Sequence, residues 1–96
     1  MEFQFTWRKD KEERNLRKHH LSFEKAQQAF FDPLHVSIQD RVVDGEERWQ
    51  TLGMVDGRAL LLVAHTLWEG DVIHVHIISA RKATKHERRF YEYQSG

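Results

Sequence analysis

The densest group of residues able to bind phosphate lies near the C-terminal end of the chain. Positions 81–89 hold one acid, Glu87, one histidine, His86, and five bases, Arg81, Lys82, Lys85, Arg88 and Arg89. Clustered positive charge attracts phosphates, and an arginine can bind one through two parallel hydrogen bonds. A basic run of this kind also fits a solvent-facing helix surface whose cations pair with neighbouring acids. By charge alone, the solvated surface is the more frequent case.

Arg81 has the most informative position within this run. It follows an apolar stretch and precedes a helix whose start is marked by the T-x-x-E capping box of Thr84 and Glu87. A side chain at the end of a strand is held on a rigid frame, so Arg81 could stabilise charge that develops on a reacting phosphate. The alternative is a structural arginine that ties the strand to a helix, and the sequence favours neither.

Three histidines and a tryptophan on the predicted strands could also do chemistry. His65 could act as general base or acid in RNA cleavage, or it could be a core histidine whose ring nitrogens are satisfied internally. His74 and His76 share one face of a strand and could begin a metal site, but no third ligand follows at suitable spacing. We therefore predict no metal and no other cofactor. Trp68, at a hairpin end, should be exposed and could stack on a base.

Length and composition place these residues in a small soluble protein. The chain has 96 residues, zero formal net charge, a pI near 7.1 and no cysteine. This length suits one domain, residues 1–96, and the neutral balance argues against a simple nucleic-acid coat protein. Without cysteine, disulfides and thiolate chemistry are excluded. The longest strongly apolar run, residues 59–64, is too short to cross a membrane, and we expect a cytoplasmic protein with no membrane partner.

Two helices are predicted in the first third of the chain, after a short strand at residues 3–5. Residues 11–20 are mostly charged and should form a surface helix, for which Asp10 is the expected N-cap. Ser22 is expected to cap a second helix. That helix should end before Pro33, because proline disfavours the helical conformation at the preceding residue.

An antiparallel meander is predicted for most of the remaining chain. After Pro33, Val36 and Ile38 alternate with polar neighbours, which predicts an extended segment. Turn signals at Asp44-Gly45, at Asp56-Gly57 and at residues 69–71 separate this segment and three further predicted strands, residues 48–55, 58–68 and 72–79. A final helix follows the capping box. The expected fold class is therefore α+β, a small curved antiparallel sheet with helices packed on it.

Six stretches together resemble one known family in their order and spacing. They are FTW at 5–7, NLRKH at 15–19, LSFEKA at 21–26, FDP at 31–33, DGEERW at 44–49, and IISARKA at 77–83 followed by Glu87-Arg88 and Tyr91. Each motif is weak by itself, but the series covers nearly the whole chain. It resembles the BrnT family, the toxin half of BrnT/BrnA type II toxin–antitoxin modules.

The resemblance implies a fold like that of RelE-type toxins and small microbial ribonucleases. It also implies a metal-independent endoribonuclease that slows growth by cutting RNA. The implied partner is a BrnA-type antitoxin, in a complex of two toxins and two antitoxins that binds operator DNA through the antitoxin. The near-neutral pI departs from the basic balance expected of such a toxin.

The same resemblance implies an active site. The matched motif positions are Arg81, Glu47, Arg48 and Glu87, and His65 is added from its place on the apolar strand. We expect Arg81 to bind the scissile phosphate, while either His65 or Glu47 removes the 2′-hydroxyl proton. The residues expected to bind RNA are Lys82, Lys85, Arg88, Arg89 and Trp68. The alternative function is a non-catalytic binding module that docks an acidic partner or nucleic acid through the basic C-terminal helix.

Overall fold

The computed structural model describes residues 2–95 and has one five-stranded sheet with the strand order β1-β5-β4-β3-β2. The strands are β1 (Phe3–Trp7), β2 (Val36–Val43), β3 (Glu46–Val55), β4 (Ala59–Glu69) and β5 (Ile73–Lys82). The helices are α1 (Lys9–His19), α2 (Phe23–Ala26), a 3-10 helix (Gln27–Phe31) and α3 (Lys85–Ser95). The α+β prediction is confirmed.

The strands β2 to β5 form the predicted antiparallel meander. Asp56 and Gly57 both adopt positive φ, 56° and 63°, which matches the right-handed twist of the strands that they connect. The short strand β1 instead pairs in parallel with β5, from Phe3 beside Ile73 to Trp7 beside Ile77. Two alternating phenylalanines indicate a strand but carry no information about its direction, so this pairing was not predicted.

One face of the sheet packs against α2 and the 3-10 helix. Phe23, Phe30, Val63 and Ile77 are buried in this first core. The 3-10 helix lies so close to β3 that a Cβ atom at Gly53 would be 2.1 Å from the carbonyl oxygen of Ala29. Glycine at this position therefore sets the distance between helix and sheet.

The opposite face of the sheet packs against α3 through a smaller cluster of buried residues. Leu52, Leu60 and Leu62 form this second core with Tyr91 of α3. The hydroxyl of Tyr91 donates a hydrogen bond to Asp32 Oδ2, which also accepts from the backbone N–H of Met54 at 2.7 Å. A single carboxylate thus joins α3, β3 and the loop after the 3-10 helix.

Several predicted element boundaries were wrong. The N-cap of α1 is Arg8, and Asp10 lies in the first helical turn, where it accepts hydrogen bonds from the Arg8 guanidinium. The second helix changes to 3-10 geometry after Ala26, although Ser22 does cap it through a bond from the Lys25 N–H. The strand β5 continues to Lys82.

Candidate active site

A buried asparagine fixes α1 against the upper half of β5. The strand β1 pairs only with residues 73–77 of β5, which leaves the edge of the following residues open. Asn15 Oδ1 accepts a hydrogen bond from the Ala80 N–H at 3.0 Å, and its Nδ2 donates to the Leu21 carbonyl at 2.9 Å. Because both polar groups of this buried side chain are used, α1 is held beside β5 as a wall along the sheet.

A register shift in the β4–β5 pairing decides which side chains face α3. The shift lies between Ala64 and His65, where Ser79 pairs with Ala64 but Ile77 pairs with His65. Paired residues share a face, so Arg81 lies on the same face as its partner Leu62 in the second core. Ser79 and His76 lie on this face too, beyond the area that Tyr91 covers.

Three adjoining hollows follow α1 and β5 on this part of the sheet, and together we call them the cationic groove. The first and second share the lining residues Lys11 and Ile78, and the second and third share Lys18 and Arg81. The basic residues that line the groove are Arg8, Lys11, Arg14, Lys18, Arg48, Arg81 and Lys82, and Glu46 is the acid among the lining residues. Asp10 and Glu87 pair with two of these cations.

Arg48 is held less tightly than Arg8, which lines the same hollow and donates two hydrogen bonds to Asp10. Its ion pair with Glu46 has an Nε–Oε1 distance of 3.7 Å, which is too long for a hydrogen bond. Within residues 2–95, the buried Nε of Arg48 has no hydrogen-bond partner. An unsatisfied cationic donor beside a cavity favours an anionic ligand there.

Arg81 is held by α3. Its Nη1 and Nη2 donate to Glu87 Oε1 and Oε2, both at 2.8 Å. These hydrogen bonds are the main cause that lowers the pKa of Glu87 to about 2, and they also raise the pKa of Arg81. The same carboxylate accepts from the Thr84 N–H, which confirms the predicted capping box. Arg81 therefore ties the strand to the helix, as the structural alternative expected, while part of its side chain still lines the groove.

His65 is in the first core and not in the groove. Its side chain is 1% exposed, its Nε2 bonds with Thr51 Oγ1 at 2.7 Å, and its ring packs edge-on against Phe30. Burial lowers its pKa to about 4. This ring has almost no surface against which an RNA phosphate could lie, and both of its nitrogens have partners within the protein. His65 is therefore a core histidine, and the expectation that it takes the 2′-hydroxyl proton was wrong.

The sequence model of the family described as "Ribonuclease toxin, BrnT, of type II toxin-antitoxin system" matches residues 7–87. The chain belongs to the BrnT family. The crystal structure of the Brucella abortus ribonuclease toxin BrnT is similar, with a TM-score of 0.61 and 20% sequence identity over 88% of this chain and 100% of that one. At this identity, the likeness shows that the two share a fold. A search of curated proteins gave no match.

The fold of this BrnT-family toxin separates the residues that the sequence had grouped. Arg48, Arg81 and Lys82 line the groove. The other predicted residues lie outside its lining: Glu47, exposed at the start of β3, Lys85, Arg88 and Arg89, exposed on α3, and Trp68, which is 64% exposed and packs on His74. Glu87 reaches the groove only through Arg81.

Four groove cations were missed because they come from the first third of the toxin. Arg8 precedes α1, and Lys11, Arg14 and Lys18 recur at intervals of three and four along it. That spacing places the three on one side of a helix, which is a readable signal. It was hidden because acids are interleaved with them and because the opposite wall of the groove is more than fifty residues away in sequence.

Within residues 2–95, no group of three or more histidine, cysteine, aspartate or glutamate side chains is placed to hold a metal ion. No helix in the same part of the chain is both long and apolar enough to cross a membrane.

Proposed function

We propose that this BrnT-family toxin is a metal-independent endoribonuclease whose substrate lies in the cationic groove. The observation that carries the proposal is the convergence of seven lysines and arginines from the α1 region, β3 and β5 in three adjoining hollows. A row of cations along a groove fits a phosphodiester backbone. Because these positive charges are gathered in the groove, a chain with zero net charge can still bind RNA there.

The proposed reaction is attack of the 2′-oxygen on the adjacent phosphorus. The 2′-hydroxyl loses its proton, the new O–P bond forms, and the bond to the 5′-oxygen breaks, which gives a 2′,3′-cyclic phosphate and a 5′-hydroxyl. Negative charge grows on the phosphoryl oxygens during this step. Arg48 is the best placed arginine to stabilise that charge, because it lines the groove and its buried Nε has no hydrogen-bond partner within residues 2–95.

Cleavage of purified RNA in excess chelator tests the reaction. We expect wild type to cut and to leave cyclic phosphate ends, and Arg48→Ala to cut at least about 100-fold more slowly. Cleavage that requires an added divalent metal would contradict metal independence. Full activity of Arg48→Ala would show that the charge is stabilised elsewhere.

A matched pair of double variants tests the groove as the binding surface. Lys11→Ala/Lys18→Ala removes two groove cations, whereas Lys9→Ala/Arg17→Ala removes two cations of the same helix that do not line it. With a 2′-O-methylated RNA, which cannot be cut, only the first pair should reduce the slope of log K against log salt, by about 1.4. Equal reductions of this slope in both double variants would mean that RNA binding depends on the net charge of the protein and not on the groove cations.

The cognate antitoxin is proposed to be of the BrnA type and to neutralise the toxin by covering the groove. The proposed complex contains two toxins and two antitoxins in the cytoplasm and contacts operator DNA through the antitoxin alone. Hydrogen exchange on the toxin–antitoxin complex tests whether the antitoxin covers the groove. Protection of α1 and β5 is expected, and an inactive complex in which both remain as accessible as in the free toxin would contradict it.

The second candidate function is a binding module without catalysis. The exposed cations of α3, Lys85, Arg88 and Arg89, lie outside the groove and could dock an acidic partner or nucleic acid. Wild type that binds RNA tightly but never cuts it, with growth unaffected by expression, would favour this candidate over the toxin.

A further inference from the structure

Because His65 lies in the core, it cannot be the group that transfers a proton in the groove. His76 lines the groove and is placed for that role. It lines the same hollow as Arg8, Lys11 and Arg48, on the α3 side of the sheet but in a hollow that no α3 residue lines. Glu46 is the other charged group that lines this hollow. A phosphate held among the three cations would therefore lie against an imidazole.

The neighbouring edge strand holds the His76 ring through one nitrogen. Thr6 is paired with His76 in the parallel β1–β5 ladder, and its Oγ1 lies 2.9 Å from His76 Nδ1. Both partners are on strands, so their separation is fixed by the backbone hydrogen bonds of the sheet and not by a loop. With Nδ1 engaged, Nε2 is the ring nitrogen that can exchange a proton with a substrate.

The hydroxyl of Thr6 suits a ring that changes its protonation state. It can accept a hydrogen bond from Nδ1–H both when the ring is neutral, with a lone pair on Nε2, and when the ring is protonated. The ring can thus take up a proton at Nε2 without losing the bond that orients it. A carbonyl would serve equally, but a hydroxyl can also donate to Nδ1 and stabilise the other tautomer.

We infer that His76 is the catalytic residue that removes the 2′-hydroxyl proton, and that Thr6 is its positioning residue. The inference rests on the proposed ribonuclease function. Nε2 takes the proton as the 2′-oxygen bonds to phosphorus, and the 5′-oxygen leaves and takes a proton from water. The hydroxide that remains accepts the proton from His76, which returns the ring to its neutral form.

The principal test compares two histidines of the same strand face. His76→Gln should reduce the cleavage rate by about 100-fold or more and keep affinity for 2′-O-methylated RNA within about threefold. His74→Gln is the matched control, because His74 lies two residues earlier, packs on Trp68 and does not line the groove. It should cut at the wild-type rate. The pH profile of His76→Gln should lose its acidic limb, and that of His74→Gln should keep it.

The Thr6 variants test the positioning role even if His76→Gln does not fold. Thr6→Val keeps the shape and removes the hydrogen bond, so it should lower kcat by about tenfold with KM unchanged. Thr6→Ser keeps the hydroxyl and should restore kcat. A rise in KM alone, or equal kcat in the valine and serine variants, would show that Thr6 does not position a catalytic group.

The outcomes separate this inference from the proposed function. If wild type cuts RNA and His76→Gln cuts equally fast, the role of His76 is wrong and the ribonuclease proposal stands. If cleavage and affinity fall in the same proportion, His76 binds phosphate and does not transfer the proton. If wild type does not cut RNA at all, both the proposed function and the role of His76 are overturned.

Discussion

Arg81 of β5 and Glu87 of α3 form a bidentate ion pair in which both nitrogen–oxygen distances are 2.8 Å. The pair joins the end of a strand to the first turn of a helix, since Glu87 also completes the capping box with Thr84. It also means that one groove cation is already neutralised in the free protein. The electrostatics of the groove therefore depend on how firmly α3 is held.

Glu87→Gln should release Arg81 for phosphate while the helix start is kept, because a glutamine oxygen can still accept from the Thr84 N–H. We expect affinity for 2′-O-methylated RNA to rise about threefold or more at low salt, and the free energy of unfolding to fall by about 1 kcal/mol. Glu92→Gln, which removes an exposed acid from the same helix, is the control. Equal gains in affinity from both variants would point to net charge alone.

Tyr91→Phe should loosen α3 from the second core. The lost hydroxyl donates to Asp32, and burial together with this bond raises the pKa of Tyr91 to about 12. Removing it leaves Asp32 with one hydrogen bond fewer, which should cost about 1–2 kcal/mol in chemical denaturation. Tyr93→Phe, on the same helix but 83% exposed, should change stability by less than about 0.5 kcal/mol. Similar losses from both would contradict a specific role for the bond.

Gly53→Ala should be one of the most damaging single-methyl changes in the sheet. Its Cβ would lie 2.1 Å from the carbonyl oxygen of Ala29, so the 3-10 helix would have to move away from β3. We expect a loss of about 3 kcal/mol. Gly45→Ala provides the comparison: φ there is +79°, but the space is open, and the cost should stay near 1 kcal/mol. Thermal unfolding of the two variants measures the difference between their losses of stability.

His65 should make stability fall between pH 6.5 and pH 5. Its pKa is lowered from 6.5 to about 4 by burial, so in this window the unfolded chain binds a proton that the native chain does not. The free energy of unfolding should decrease by about 2 kcal/mol over the window. Denaturant titrations of His65→Gln should lack this loss, and those of His74→Gln should keep it.

The carboxylates give a separate signal at lower pH, so the two effects can be resolved. Hydrogen bonds from Arg81 lower the pKa of Glu87 from 4.5 to about 2, and those from Tyr91 and the Met54 N–H outweigh burial and lower that of Asp32. Both groups stabilise the protein above their unfolded pKa values and lose that contribution as pH falls below about 4.5. A pH slope in His65→Gln that begins above pH 5 would contradict the assignment.

The sequence alone determined the elements and the family. The Asp56-Gly57 turn, the Ser22 cap and the Thr84–Glu87 capping box depend on residues close together in the chain, and the structure confirms each of them. Family membership followed from six local motifs in order, and the match over residues 7–87 confirms it. The conformational preferences of neighbouring residues and the order of motifs depend on the sequence alone, so they can be predicted without the tertiary structure.

Only the tertiary structure decided which residues share a site. The parallel pairing of β1 brings Thr6 to His76, seventy residues away, and Asn15 brings the cations of α1 to Ser79 and Arg81. The register shift beside Ala64 sets the face on which the end of β5 presents its side chains, while His65 stays in the core. Strand direction, bulges and a buried polar anchor arise from contacts between distant segments. For this reason the sequence could supply Arg48, Arg81 and Lys82, but not the groove in which they meet.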